Sequence, residues 1–169
     1  MIRPVILANC LVRKNAKYLL VQEATDKIYT GISTHSRGKW TIPHGEVDES
    51  ETITESAKRE FLEETGGQTK VKRLGAIAFA TLDGTIHLLS FIFYGDTFRK
   101  SQKRWTHEIK KAKWFSKKEI RQLEKDGKIR DKVPISKIIT AIEKNKTVQF
   151  IEWKQPNYIK EIFKRLNKK

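Results

Sequence analysis

The chain has 169 residues, 38% hydrophobic and 33% charged, the size and mix of one globular domain able to bury roughly 70% of its unfolded surface. A mean hydropathy of −0.59 and the lack of any apolar run near the roughly 18 residues that cross a bilayer argue against a membrane helix, the short apolar opening broken by Asn9 is not expected to be a secretion leader, and Cys10 alone cannot build a disulfide framework, so a reducing, cytoplasmic setting is expected. Thirty-five Lys and Arg against 20 Asp and Glu give a net charge of +15, which either favours phosphorylated small molecules or nucleic acid as partners or simply clothes solvated faces with lysine.

Val5 to Val12 and Tyr18 to Val21 are β-prone runs separated by the polar stretch Arg13 to Lys17, which predicts an antiparallel hairpin. Glu23 to Gly38, rich in Thr, Ser and Gly without a period, reads as a loop leading into a short strand at Lys39 to Pro43. From Thr52 to Thr65 the apolar positions Ile53, Ala57 and Phe61 recur every four residues and predict one face of an amphipathic helix, stopped by Gly66-Gly67. Leu74 to Leu82 and Thr85 to Tyr94 predict a second hairpin, with Asp83-Gly84 as its turn. After a basic loop from Thr97 to His107 comes a strand at Ala112 to Phe115. Ser116-Lys117-Lys118-Glu119 then has the form of a capping box, opening a helix that carries Ile120 and Leu123 and ends near Asp126-Gly127. Pro134 to Glu143 predicts another helix with Ile135, Ile138, Ile139 and Ile142 inward. Pro156 to Leu166 places Ile159, Ile162, Phe163 and Leu166 on one stripe, expected to pack on the body of the domain, with docking to a partner or a membrane surface as the alternatives.

The chemistry concentrates in Gly45-Glu46-Val47-Asp48-Glu49-Ser50-Glu51 and, after seven residues, Arg59-Glu60-Phe61-Leu62-Glu63-Glu64-Thr65-Gly66. At about 3.6 residues per turn Glu60 and Glu64 stack on one helix face with Glu63 alongside, while Ile53, Ala57 and Phe61 occupy another. Like charges four residues apart repel, so this cluster is easier to understand if a hard divalent cation with a taste for oxygen ligands fills it. Against that stands an ordinary solvated acidic helix, since Glu forms helices well and Arg59 can pair with Glu63.

The complete spacing resembles the signature of the Nudix hydrolase family at seven positions, Gly45, Glu51, Arg59, Glu60, Glu63, Glu64 and Gly66, with Phe61 at the first apolar one. Trp40 to Pro43 is similar to the strand that leads into that signature, and the resemblance spans Val5 to Ile142. Two positions depart from it: Gly67 stands where an apolar residue is usual, and His44 where glycine is frequent. The resemblance implies an α/β/α sandwich with a mixed sheet, and with the C-terminal stripe the chain is expected to divide into a domain over residues 1–145 and a basic helical extension over 146–169 packed on it. It also implies Mg²⁺-dependent hydrolysis, with Mn²⁺ as a substitute, of a nucleoside diphosphate linked to another moiety. Metal would be held by Glu60, Glu63, Glu64 and the Gly45 carbonyl, Glu63 being also a catalytic candidate, while Glu51 and Arg59 steady the loop and helix by pairing. Glu108, six residues before Trp114, is the candidate general base, or else an ordinary charged loop residue. His44 constrains the loop, reaches a substrate phosphate, or is merely exposed.

Arg104 and Trp105 combine a cation with a ring, suited to a phosphate and a base, though Trp105 could equally cover the edge of the core. The order of elements after the signature is similar to the branch containing MutT and NudJ, which implies nucleoside tri- or diphosphates or a pyrimidine pyrophosphate as substrate. Two other readings stay open: a pyrophosphohydrolase of RNA 5′ ends, whose binding would fall steeply with salt, and a Nudix-like domain that binds a nucleotide or RNA without cleaving it. Oligomeric state is not encoded in any motif.

Overall fold

The structure, a computed structural model, describes residues 4–29, 32–33, 35–82, 86–101 and 106–154. In chain order its elements are β1 (Val5–Lys14), β2 (Lys17–Glu23), β3 (Ile28–Tyr29), β4 (Ile32–Ser33), β5 (Trp40–Thr41), β6 (His44–Glu46), α1 (Ile53–Thr65), β7 (Gly67–Gln68), β8 (Val71–Leu82), β9 (Ile86–Gly95), β10 (Arg99–Lys100), β11 (Ile109–Ser116), α2 (Lys117–Lys125), a 3₁₀ turn (Arg130–Lys132), α3 (Ile135–Lys144) and β12 (Gln149–Lys154).

The main sheet runs β11-β2-β1-β9-β8-β12, with β5 joined to β2 and β6 to β1. It is mixed: β1 runs parallel to β9 and β8 parallel to β12, while the remaining pairs are antiparallel. Both predicted hairpins form. The first is tighter than the polar run suggested, because Asn15 and Ala16 alone make the turn, both at positive φ (50° and 58°) as a type I′ connection requires. β1 pairs in register with β2 only at Arg13 and Lys14. Further back, the same edge of β1 carries β6, with Leu7 opposite Glu46, Ala8 opposite Gly45 and Asn9 opposite His44. That split edge seats the glycine loop in the middle of the sheet.

Alternation along the strands sorts side chains to two faces. Cys10, Val12 and Leu19 meet Phe61 of α1 on one face, and Leu11, Tyr18 and Leu20 join Ile120 of α2 and Ile135, Ile138, Ile139 and Ile142 of α3 on the other. The result is the expected α/β/α sandwich. Burial of Cys10 pushes its thiol up to about 12, so it serves as a small core residue.

The capping box at α2 forms as the sequence suggested: the Glu119 amide donates to Ser116 Oγ (3.2 Å) and the Ser116 amide donates to Glu119 Oε2 (2.6 Å). Ser116→Ala is expected to cost about 1 kcal/mol, lowering Tm by roughly 2–4 °C in calorimetry without changing turnover.

β12 is an element the periodicity did not suggest. Residues 155–169, including the stripe from Pro156 to Leu166, lie outside the described residues, as do Asp83 and Gly84. Among the described residues no helix is long and apolar enough to cross a membrane.

Candidate active site

Thr52 starts α1 with a reciprocal cap that the sequence reading did not single out: its Oγ1 accepts from the Glu55 amide (3.3 Å) and its amide donates to Glu55 Oε2 (2.8 Å). Gly66 ends the helix at φ 68°, donating its amide to the Leu62 carbonyl. Phe61 and Ala57 anchor the inner face of α1, so its acidic edge lies along β6. Gly45 makes that contact sterically feasible, because a Cβ there would stand 2.0 Å from the Glu60 carboxyl carbon.

Arg59 is the clamp. Its Nε and Nη2 donate to the two oxygens of Glu51 (2.8 and 2.9 Å), Nη1 donates to Glu60 Oε1 (2.6 Å), and Nη2 reaches the Glu46 carbonyl (3.3 Å). This fork-to-carboxylate geometry is the strong form of an ion pair, and it holds the Glu51 carboxyl below its ordinary pKa while raising that of Arg59. Glu63 stands 3.5 Å from the same guanidinium. Glu51, Arg59, Glu60 and Glu63 are therefore brought together.

Glu64 goes inward. Its side chain is buried and its Oε2 accepts from the His44 amide (3.0 Å). Burial, then the charges of Glu23 and Glu60, push its carboxyl well above the ordinary range, and burial raises Glu60 as well. One buried and one half-buried carboxylate whose ionised forms are disfavoured, beside a glycine that leaves room for them, form a donor set suited to a divalent cation. In the rotamers seen, Arg59 draws Glu60 and Glu63 to its own side, and among the described residues no three acidic, histidine or cysteine side chains stand close enough to grip one ion together.

His44 lies inside the protein. Its ring is buried, Nδ1 is 2.9 Å from the Ile42 carbonyl and Nε2 is 2.6 Å from Arg130 Nη1. Burial and the cations Arg130 and Lys27 hold it neutral, so Nδ1 donates and Nε2 accepts. Rather than being exposed, the ring is tied to Ile42 and Arg130 beside Gly45. Arg130 also donates to Glu23 Oε1 (2.9 Å) and, through Nε, to Asp131 Oδ2 (3.1 Å), and all three charged side chains are buried. The sequence reading missed this group. One signal was available, a charged residue closing the apolar strand Tyr18 to Val21, but nothing local marks Arg130 as its partner 107 residues later.

Glu108 is half exposed and pairs with Lys27 at an open cleft of about 310 Å³ that Asp26, Ile28, His44, Gly45 and Glu46 also line. That size is within the range of small-molecule sites. Glu108 therefore shares the opening beside Gly45. Arg104 and Trp105 lie outside the described residues.

The model of the NUDIX domain family matches residues 3–136. The chain belongs to the Nudix family. Nudix proteins of this kind are hydrolases acting on pyrophosphate bonds. Among curated relatives, an uncharacterized Nudix hydrolase of Bacillus subtilis, YvcI, is 29% identical over 122 residues, 69% of each chain. A Nudix hydrolase from Nitrosomonas europaea superposes with a TM-score of 0.70 at 26% identity, covering 86% of this chain and 93% of that one. MutT from Methanosarcina mazei Go1 shares the fold at 21% identity (TM-score 0.67, covering 87% and 99%). So does the NUDIX domain of Shewanella oneidensis NrtR, solved with ADP ribose, at 14% identity (TM-score 0.66, covering 83% and 88%).

Proposed function

We propose that this Nudix hydrolase uses Mg²⁺, or Mn²⁺ in its place, to cleave a phosphoanhydride bond of a nucleoside di- or triphosphate, or of another nucleoside diphosphate linked to a further moiety. The observation that carries this reading is the glycine cradle: Gly45 admits the Glu60 carboxyl against the backbone while Glu64 is held beneath by the His44 amide. Glu60, Glu63, Glu64 and the Gly45 carbonyl would hold the cation. When bound, it would neutralise charge on the phosphoryl oxygens and make a nearby water more acidic. Arg59, itself fixed by Glu51, would keep the acidic helix edge and the loop in register. Glu108, across the cleft, would take the proton as water oxygen bonds to phosphorus and the anhydride oxygen leaves.

Glu108→Gln is expected to lower kcat by about 10²–10⁴-fold while leaving Mn²⁺ affinity and Tm unchanged. Unchanged kcat would remove Glu108 from this role. A second substrate class is favoured by the net charge of +15, namely RNA carrying a 5′-triphosphate. A product-resolved hydrolysis screen with Mg²⁺ separates the two, covering nucleoside tri- and diphosphates, ADP-ribose, dinucleoside polyphosphates and 5′-triphosphate RNA. Turnover of free nucleotides supports the first reading. Silence on every small molecule with cleavage of RNA, weakened steeply by salt, replaces it with the second.

A further inference from the structure

Glu23 lies outside the signature, and its surroundings are unusual for a structural ion pair. It is fully buried, and only one of its oxygens is satisfied: Oε1 accepts from Arg130 Nη1 (2.9 Å), whereas Oε2 has no hydrogen-bond partner among the described residues. A buried carboxylate oxygen with no donor is costly, and native proteins retain one where something else supplies the donor. The direction of the side chain indicates where that donor belongs. Along β2, Leu19 packs with Phe61 of α1, while Tyr18 and Leu20 face α2 and α3. Alternation therefore turns Glu23, like Leu19, toward the face that α1 covers, where Glu64 is buried. A hydrogen-bonded chain joins the two carboxylates: Glu23 to Arg130, Arg130 to the His44 ring, and the His44 amide to Glu64.

We propose that Glu23 is an outer-sphere carboxylate of the cation site, its unpaired oxygen accepting a hydrogen bond from a water in the hydration shell of the divalent cation held by Glu60 and Glu64. This rests on the cation-site reading above. Direct ligation is not invoked, because the other oxygen of Glu23 is held by Arg130 away from the helix carboxylates' own edge. Mg²⁺ and similar ions keep several waters, and one of these is the donor that Oε2 lacks. Arg130 fixes the orientation by occupying the other oxygen.

The test is Mn²⁺ binding to the full, metal-free chain, followed by the electron-paramagnetic-resonance signal of free Mn²⁺ alongside kcat. Glu23→Gln is expected to weaken Mn²⁺ binding by about 10–100-fold, the usual effect of losing a partner just beyond the ligands. Glu23→Gln also removes one of the two carboxylates paired with Arg130 and leaves Asp131 as the other, so the double variant Glu23→Gln/Arg130→Met, which removes the whole Glu23–Arg130 pair, is measured beside it. Mn²⁺ binding as weak in the double variant as in Glu23→Gln supports the proposal. Affinity restored to the wild-type value overturns it, leaving Glu23 as the counter-ion of Arg130 alone, and unchanged affinity in Glu23→Gln overturns it as well. Should Glu23→Gln fail to fold, the double variant must still bind weakly. Glu64→Gln is the control: a wild-type chain that binds no Mn²⁺ defeats the cation-site reading, whereas loss in Glu64→Gln with full binding in Glu23→Gln defeats only the role of Glu23.

Discussion

Replacing Glu64 by Gln is expected to abolish measurable turnover, a fall of at least about 10³-fold in kcat/KM, while making the metal-free protein more stable. Both effects come from one property of the side chain. Its ionised form is disfavoured by burial and by the charges of Glu23 and Glu60, and the His44 amide offsets only part of this. Because the folded-state pKa lies above the unfolded one, the folded chain without metal loses stability as pH rises from the unfolded pKa through the folded pKa, and the penalty is complete above it. Gln keeps an acceptor for the His44 amide and removes the charge. A gain on the order of 1–2 kcal/mol, roughly 3–6 °C in Tm, is expected at neutral pH in chelator, together with a flatter dependence of Tm on pH. Excess Mn²⁺ should narrow the gap by stabilising the wild type alone. The opposite contribution comes from Glu51 and Glu143, whose pKa values are depressed: they stabilise the fold above the unfolded pKa, and that share is lost as pH falls through their folded values. A Glu64→Gln variant that keeps its turnover, or melts lower than wild type in chelator, would sink the assignment of Glu64 as a strained cation ligand.

The second large effect is expected at Gly45. Its backbone does not require glycine for its φ; the requirement is space, since an added methyl would fall 2.0 Å from both Cδ and Oε1 of Glu60. The clashing atoms are the far end of the Glu60 side chain, which can swing clear by giving up its bond to Arg59 Nη1, whereas β6 cannot shift without disturbing its pairing to β1 at Ala8. Gly45→Ala should therefore cost about 1–3 kcal/mol in folding stability, as overpacking does. It should also reduce kcat by at least about 10²-fold, because displacing ligands by even an ångström spoils alignment. Paired measurement of Tm and kcat is decisive: a variant with wild-type activity would mean that the contact between Gly45 and Glu60 is dispensable. Gly38 is the contrast. It sits at φ 78° with nothing near its missing Cβ, so substitution there strains the backbone without touching the site.

Much of this protein could be read along the chain because the relevant interactions are local or periodic. The spacing of Ile53, Ala57 and Phe61 places the inner face of α1, and Gly66 ends it with the left-handed φ that glycine adopts cheaply. Ser116 and Glu119 cap each other across one turn, and the four isoleucines of α3 are all buried. The pairing of Glu51 with Arg59 spans a gap of eight residues, short enough for the motif to imply it. What the chain order could not reveal arises between distant segments. β12 lies parallel to β8, joined in register across more than seventy positions, and a parallel neighbour leaves no turn signal.

The sequence by itself determined the acidic helix, the glycine before it and the family they mark, since each depends on residue spacing within a single helix and its entry loop. Only the tertiary structure decided the rest of the site. It split the edge of β1 so that β6 seats Gly45 against α1, and it set Glu108 across the cleft. It also buried His44 with Arg130 and Glu23, which the loop histidine alone gave no reason to expect. The physical reason is that burial and long-range pairing determine whether a charged side chain is solvated or confined, and neither is a property of the residues next to it.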